Sequence, residues 1–184
     1  MTELEWVEIL KVEIEAALSQ RQIIVETGFR LPYAFYISSY DGASFDTPKT
    51  IRHKYQKDLL VAERVRKSKD WVPRVVIECK LRTVTTHDAL TYSAKAATHK
   101  NVHPYLRYGI IVGHHPGPVK RLLLRHGHQF DFMQMLEREK TGAADRERLS
   151  KLLRDEVRAS QNIQRILSGD SDATLVHRKL VTAR

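Results

Sequence analysis

The chain has 184 residues, a formal net charge of +9 and a single cysteine. This length favours one unit over residues 1–140, a helical extension of it over 141–168 and a flexible tail over 169–184. No apolar run is long enough to cross a membrane, the N-terminus lacks the pattern of a secretory signal, and one cysteine excludes a disulfide framework. We therefore expect a cytoplasmic protein that has no membrane partner.

The first third of the chain predicts a helix followed by strands. Residues 2–20 have an amphipathic pattern, with Thr2 as a candidate N-cap and Glu5 three residues later. Three strands are then predicted, over residues 22–26, 29–39 and 55–62. A turn is predicted at Asp41-Gly42.

A further buried strand is predicted over residues 74–81, where a β-branched, apolar run contains two charges near its end. Side chains alternate between the two faces of a strand, so Glu78 and Lys80 share one face and Cys79 points to the other. Burying these charges without partners would be costly. They therefore indicate either a functional site or a structural salt bridge between Glu78 and Lys80.

Asp58 belongs to the same arrangement if residues 55–62 and 74–81 form neighbouring antiparallel strands. The polar segment 66–73 between them ends in a proline and suits such a connection. Mg²⁺ prefers oxygen ligands and takes one or two carboxylates, which Asp58 and Glu78 would supply, helped by the backbone carbonyl of Cys79. Asp46 is a rival to Asp58, but its loop setting and nearby proline make it the weaker choice.

The second half of the chain predicts a helix over residues 87–100, capped by Thr85 or Thr86. A strand over 108–113 is predicted to lie parallel to the strand over 74–81, which is called the motif strand below. A long helix is predicted from Gly142 to about Ser168. On the first of these helices Leu90, Ala94 and Ala97 are expected to pack on the sheet. Tyr92, Lys95 and His99 lie along another side at helical spacing. His114, His115, His126 and His128 fit no compact zinc pattern and favour strand ends and turns.

Positive charge is concentrated around the candidate residues. Residues 49–82 contain eleven Lys and Arg against four Asp and Glu, an excess of seven. A cationic surface attracts the phosphate backbone of nucleic acids independently of base sequence. Surface charge that only keeps the protein soluble is the alternative.

Asp58 and the sequence Glu78-Cys79-Lys80 resemble the motif of the PD-(D/E)XK nuclease superfamily, which includes restriction endonucleases and Holliday-junction resolvases. Asp58 matches the first acid, Glu78 the second and Lys80 the lysine, whereas Lys57 stands where the name-giving proline would be. The resemblance extends in layout to about Gly113. It implies an α/β fold: a mixed central β-sheet flanked by helices with an αβββαβ core, here with a long C-terminal helix.

The resemblance also implies a first-helix glutamate in the metal site, for which Glu13 is the first candidate and Glu15 or Glu8 the next. It implies polar residues near the site on the helix that follows the motif strand, of which Lys95 is the first choice. Together with the basic surface, these matches predict phosphate contacts by Lys54, Lys57, Arg82, Tyr92, Lys95 and His99.

The expected activity is a metal-dependent DNA endonuclease. Asp58 and Glu78 would hold Mg²⁺, with Mn²⁺ as a substitute, and the cation would polarise the phosphate and lower the pKa of a water. Lys80 would position that water and offset the charge of the transition state, rather than act as a base. Double-stranded DNA is the expected partner, and the C-terminal helix allows a homodimer. The alternatives are a nucleic-acid-binding module without catalysis and a scaffold subunit, and the sequence leaves the choice between DNA and RNA open.

Overall fold

The computed structural model describes residues 1–18, 22–40, 47–137 and 141–171. The predicted turn at Asp41-Gly42, the rival acid Asp46 and all but the first residues of the predicted tail lie outside these ranges. The elements in chain order are α1 (Glu3–Ala17), β1 (Ile23–Thr27), β2 (Arg30–Tyr40), β3 (Pro48–Gln56), β4 (Leu59–Arg64), β5 (Trp71–Leu81), α2 (Thr86–Val102), β6 (Arg107–Gly113), α3 (Arg121–His126), β7 (Phe132–Met135) and α4 (Ala143–Leu167).

A mixed five-stranded sheet forms the centre of the fold, in the order β1-β4-β5-β6-β7. β4 pairs with β1 and β5 in antiparallel orientation, whereas β6 lies parallel to β5 and β7 lies parallel to β6. Helix α2 connects the parallel strands β5 and β6, which is the usual role of a crossover helix. The predicted α/β class, with a mixed sheet, flanking helices and a long C-terminal helix, is confirmed.

Helices cover both faces of the sheet, and the alternation of β5 assigns each residue to its face. Val75, Ile77 and Cys79 belong to the core that includes the apolar residues of α1 and α4. Val76 belongs to the second core, which includes residues of α2 and α3. The predicted division of the motif strand into two faces is therefore confirmed.

Hydrogen bonds at the helix ends agree with the sequence. Thr2 caps α1 in a capping box with Glu5, and Thr85 caps α2 in the same way with Asp88. In each box the threonine side chain accepts a hydrogen bond from the backbone amide three residues later, and the acidic side chain there accepts one from the threonine backbone amide. Two otherwise unpaired donors are thus satisfied. α4 begins after Gly142 and ends before Ser168, as predicted, and its apolar face is buried within the core.

The prediction of the apolar face of α2 is wrong by one position. Leu90 is 51 % exposed, and Ala94 is also exposed. The buried residues of the helix are Ala89, Ser93, Ala96 and His99. These are mostly small, so the sheet-facing side of α2 allows a close approach to the strands but carries little hydrophobic signal in the sequence.

The segment predicted as one strand from residue 55 to 62 belongs to two different sheets. β3 ends at Gln56 and pairs with β2 in a two-stranded ribbon, whereas β4 begins at Leu59 in the central sheet. Lys57 and Asp58 connect these two strands, and the backbone amide of Lys57 donates a hydrogen bond to the carbonyl of Phe29. The extended pattern continues through this passage, so periodicity alone does not reveal the change of partner.

Candidate active site

The β4–β5 hairpin brings Asp58 next to the motif strand. Leu59 pairs with Ile77, so Asp58, one residue earlier, lies opposite Glu78. The backbone amide of Cys79 donates a 2.8 Å hydrogen bond to Asp58 Oδ2. The predicted hairpin is confirmed, and it places the two acids side by side.

Asp58 and Glu78 repel each other in a partly desolvated setting. Glu78 is only 2 % exposed. Burial raises the pKa of Asp58 to about 6, and the neighbouring charge of Glu78 adds to this rise against the opposing hydrogen bond from Cys79. Two carboxylates that face each other across neighbouring strands and repel each other in this way can share a cation, which offsets both charges.

The oxygen donors of this pair fit a hard divalent cation. Mg²⁺ takes one or two carboxylates from a protein and keeps waters or substrate oxygens at its other positions. In residues 1–18, 22–40, 47–137 and 141–171 no three His, Cys, Asp or Glu side chains form a metal-binding group, and His114, His115, His126 and His128 join none. The fit therefore depends on Asp58 and Glu78, with the carbonyl of Cys79 as a predicted third donor.

Cys79 reaches the site through its backbone alone. Its thiol is completely buried in the core on the α1 and α4 side of the sheet. Burial raises the pKa of this thiol well above its ordinary value, and the nearby charges of Asp58 and Glu78 contribute to the rise. A neutral thiol buried in the core does not act as a nucleophile.

Glu78 is held on its other side by a buried lysine and a buried tyrosine. Lys57 Nζ lies 3.3 Å from Glu78 Oε1 and donates a 2.8 Å hydrogen bond to Tyr108 Oη. Tyr108 donates a short hydrogen bond to the same oxygen of Glu78. One oxygen of Glu78 is thus held by two donors, which restricts the orientation of this carboxylate.

The prediction that Lys57 contacts nucleic acid is wrong, because the side chain is completely buried. Burial lowers the pKa of Lys57 to about 8, although the charge of Glu78 opposes this change. The lysine therefore remains largely protonated at neutral pH and pairs with Glu78. Lys57, which stands where the motif has its proline, thus belongs to the group of Asp58, Glu78, Lys57 and Tyr108, here called the acid cluster.

Lys80 lies on the same strand face as Glu78, but the two do not form the salt bridge considered from the sequence. Lys80 Nζ is 3.3 Å from Glu3 Oε1 and 4.0 Å from Asp88 Oδ1. Burial would lower the pKa of Lys80, but its hydrogen bond with Tyr92 and the charge of Glu3 raise it above its ordinary value. Lys80 is therefore a cation at neutral pH, which suits electrostatic stabilisation better than proton abstraction.

The first-helix glutamate that reaches the motif strand is Glu3, not Glu13. Glu3 Oε2 accepts a 3.1 Å hydrogen bond from the amide of Leu81, in addition to the contact with Lys80. Glu13 lies ten residues further along α1, which corresponds to about 15 Å of helix. Glu8 accepts a 2.7 Å hydrogen bond from Thr27 Oγ1 at the end of β1.

The close approach of α1 depends on Gly113 at the end of β6. A Cβ atom at this position would lie 2.3 Å from the Trp6 ring. The indole therefore occupies the space that a side chain would fill, which brings the first turn of α1 over the end of the motif strand. Glu3 is missed from sequence because its role depends on this packing, although the capping box that starts α1 was readable.

Helix α2 presents two of its three predicted residues to the site. The Tyr92 ring lies 5.5 Å from Lys80 Nζ and 5.0 Å from Lys95 Nζ. His99, by contrast, is completely buried, and its Nδ1 is 2.9 Å from the carbonyl oxygen of Pro32. Burial lowers the pKa of His99 to about 3, so this side chain is a neutral part of the core, and the predicted phosphate contact is wrong.

Lys54 and Arg82 remain exposed, as phosphate contacts require. Lys54 lies on β3, and Arg82 follows β5 with a φ of 73°. The amide of Arg82 donates a 2.7 Å hydrogen bond to Gly113, which fixes this bend at the carboxyl end of the sheet. Both cations lie next to elements that carry the acid cluster.

The comparisons with known proteins add no assignment. No model of a protein family matches the chain, and no curated protein matches it. No helix in the described residues is sufficiently long and apolar to cross a membrane. The geometry of the site is therefore the only basis for assigning a function to this protein.

Proposed function

We propose that this protein is a metal-dependent DNA endonuclease of the PD-(D/E)XK type, located in the cytoplasm and acting on double-stranded DNA. The single observation that carries the proposal is the pairing of Asp58 and Glu78 across the β4–β5 hairpin. Two neighbouring, partly desolvated carboxylates repel each other, and a bound divalent cation would relieve this repulsion.

Each residue of the cluster has a definite task in this proposal. Asp58 and Glu78 bind Mg²⁺ or Mn²⁺, which when bound supplies Lewis-acid polarisation of the phosphate and activation of the attacking water. Lys57 and Tyr108 orient Glu78 through their hydrogen bonds to its Oε1. Lys80 remains protonated and stabilises the negative charge that develops on the phosphate.

The surface around the cluster supports a nucleic-acid substrate. Residues 49–82 carry an excess of seven positive charges. Lys54 is exposed on β3, Arg82 is exposed directly after β5, and Lys95 lies 5.0 Å from the Tyr92 ring that also neighbours Lys80. These cations would bind phosphates without reading a base sequence. In this proposal the protein can also form a homodimer. Because the apolar face of α4 is buried against the core, the contacts between the two protomers would use other surfaces.

A cleavage assay with substitutions tests the proposal. Plasmid, linear duplex, single-stranded DNA, RNA and a four-way junction are incubated with Mg²⁺ or Mn²⁺ and with wild type, Lys80→Ala or Glu78→Gln. We expect cleavage of DNA by the wild type only, with DNA binding by Lys80→Ala retained. Lys69→Ala is the matched control, because it removes an exposed lysine from the turn before β5.

Three results would contradict the proposal. Full cleavage by purified Lys80→Ala would remove the lysine from the mechanism. Binding of DNA without cleavage under any metal condition, unchanged by Glu78→Gln, would favour the module without catalysis. Absence of both binding and cleavage would favour the scaffold subunit.

A further inference from the structure

The β2–β3 ribbon carries a row of stacked aromatic rings on one face. Tyr33 stacks on Tyr55 with ring centroids 3.7 Å apart, and it lies 6.3 Å from the ring of His53. His53 in turn stacks on Tyr36 at 5.8 Å. These four side chains, Tyr55, Tyr33, His53 and Tyr36, are called the aromatic row.

The aromatic row begins at the acid cluster and runs away from it. Tyr55, at its inner end, lies 5.4 Å from Lys57 Nζ and 5.5 Å from Lys95 Nζ. Lys57 contacts Glu78 directly. Tyr36, at the outer end, is 51 % exposed on a ribbon whose surface is mostly open to solvent. The inner end of the row is therefore separated from Glu78 by one side chain, that of Lys57.

Exposed aromatic side chains are concentrated on this ribbon. Phe35, Tyr36 and Tyr40 all lie on β2, and they are the only exposed Phe, Tyr or Trp side chains in the described part of the chain. Exposed apolar area of this kind marks interaction surfaces more often than it marks the general surface of a monomer. The ribbon therefore offers stacking surfaces that the rest of the described surface lacks.

The charge of the ribbon identifies the kind of partner. The residues of β2 and β3 include four Lys and Arg and no Asp or Glu. By strand alternation Lys49 shares the face of His53 and Tyr55, whereas Arg30, Arg52 and Lys54 lie on the opposite face. On the face of the aromatic row, Lys95 of α2 adds a second cation 5.5 Å from the Tyr55 ring. Aromatic rings with cations beside them bind single-stranded nucleic acid, because unpaired bases stack on the rings while the phosphates contact the cations. In a duplex the faces of the bases are covered by their neighbours, so a duplex uses only the cations.

We propose that the aromatic row binds an unpaired strand of DNA and leads it to the acid cluster. The substrate would then be a duplex with a single-stranded segment next to the scissile phosphate, such as a fork or a flap. This inference deepens the proposed endonuclease function and rests on it for the link between binding and cleavage. The binding surface itself is testable without metal.

The first experiment measures binding in EDTA by fluorescence anisotropy. The probes are a labelled single-stranded DNA oligonucleotide, its blunt duplex and the RNA of the same sequence. We expect tighter binding of the single strand than of the duplex, and a loss of about five- to 150-fold on Tyr36→Ala. Tyr36→Phe keeps an aromatic face and should bind like the wild type.

Phe35→Ala is the matched control. Phe35 neighbours Tyr36, is 59 % exposed and pairs with Arg52, whereas Tyr36 pairs with Ile51, so the two aromatic side chains lie on opposite faces of the ribbon. We expect Phe35→Ala to bind the single strand as the wild type does. Equal losses in the two variants, equal affinity for single strand and duplex, or a preference for RNA over DNA would overturn the proposal.

A second experiment separates this inference from the endonuclease function. Forked and blunt duplexes are compared as cleavage substrates with Mg²⁺, and the oligomeric state of wild type and Tyr36→Ala is measured. Tyr36-dependent binding without any cleavage would contradict the endonuclease and leave the aromatic row in place. Cleavage of blunt and forked duplexes that is equally fast in both proteins would contradict the row alone, as would a wild-type dimer that Tyr36→Ala converts to a monomer.

Discussion

Replacement of Asp58 by asparagine is expected to stabilise the protein in the absence of metal and to remove its response to Mg²⁺. The pKa of Asp58 is raised from 3.8 to about 6, mainly by burial. The charged carboxylate is therefore disfavoured in the folded state by about 3 kcal/mol. Asparagine carries no charge, and its side-chain oxygen can still accept the hydrogen bond from the amide of Cys79.

The pH dependence of this effect follows from the direction of the shift. Between pH 3.8 and about 6 the folded protein binds more protons at Asp58 than the unfolded chain does. The contribution of Asp58 to stability therefore falls as pH rises through this window and reaches its lowest value above pH 6. Relative to wild type, Asp58→Asn should gain little below pH 3.8 and about 2 to 3 kcal/mol at pH 7.

Urea denaturation from pH 4 to 8, with and without Mg²⁺, measures both parts of the prediction. A ligand that binds only the folded state stabilises it by about 2.7 kcal/mol at one hundred times its Kd. We expect Mg²⁺ to stabilise the wild type and not Asp58→Asn. Asp70→Asn, which removes an exposed carboxylate from the turn before β5, is the control for net charge. A variant that is less stable than wild type at pH 7, or that still gains stability from Mg²⁺, would refute the reasoning.

Three further predictions concern the packing around the site. Burial lowers the pKa of Lys57 to about 8, so between pH 8 and 10.5 the unfolded chain binds more protons at this group than the folded protein does. The unfolding free energy of the wild type should therefore rise by about 3 kcal/mol over this pH range. In urea titrations Lys57→Met should abolish the rise, whereas the exposed control Lys54→Met should keep it. A Cβ at Gly109 would lie 2.4 Å from the Phe132 ring, so Gly109→Ala should cost about 1 to 3 kcal/mol, and Phe132→Leu should recover part of this loss in a double-mutant cycle. Thr85→Ala removes the cap of α2 and should lower the unfolding free energy by about 1 kcal/mol, whereas an unchanged value would show that the capping box is not needed.

Much of the candidate site was readable because it depends on local pattern. Strand alternation places Glu78 and Lys80 on one face, and the structure has the same division. The polar turn before Trp71 predicts the hairpin that brings Asp58 opposite Glu78. Each of these inferences needs only neighbours in the chain or one short connection.

The residues that the sequence misplaced depend on contacts between distant segments. Lys57 has the charge and setting of a phosphate contact, but it pairs with Glu78 and Tyr108, 21 and 51 positions away. His99 has a suitable spacing with Lys95, yet its ring is buried and contacts the carbonyl of Pro32, 67 positions away. The hydrophobic periodicity of the sequence does not indicate which polar group from a distant segment will contact Lys57 or His99 in the core.

The sequence by itself determined the class of fold, the capped helices, the parity of the motif strand and the pairing of Asp58 with Glu78, because nearest neighbours and short turns fix these features. Only the tertiary structure decided that Glu3 and not Glu13 reaches Lys80, because Gly113 lets Trp6 pack closely and so positions the first turn of α1. The tertiary structure also decided that the chain leaves the β2–β3 ribbon at Lys57 and enters the central sheet at Leu59. An extended chain has the same period in either sheet, so the choice depends on which partner strand is present.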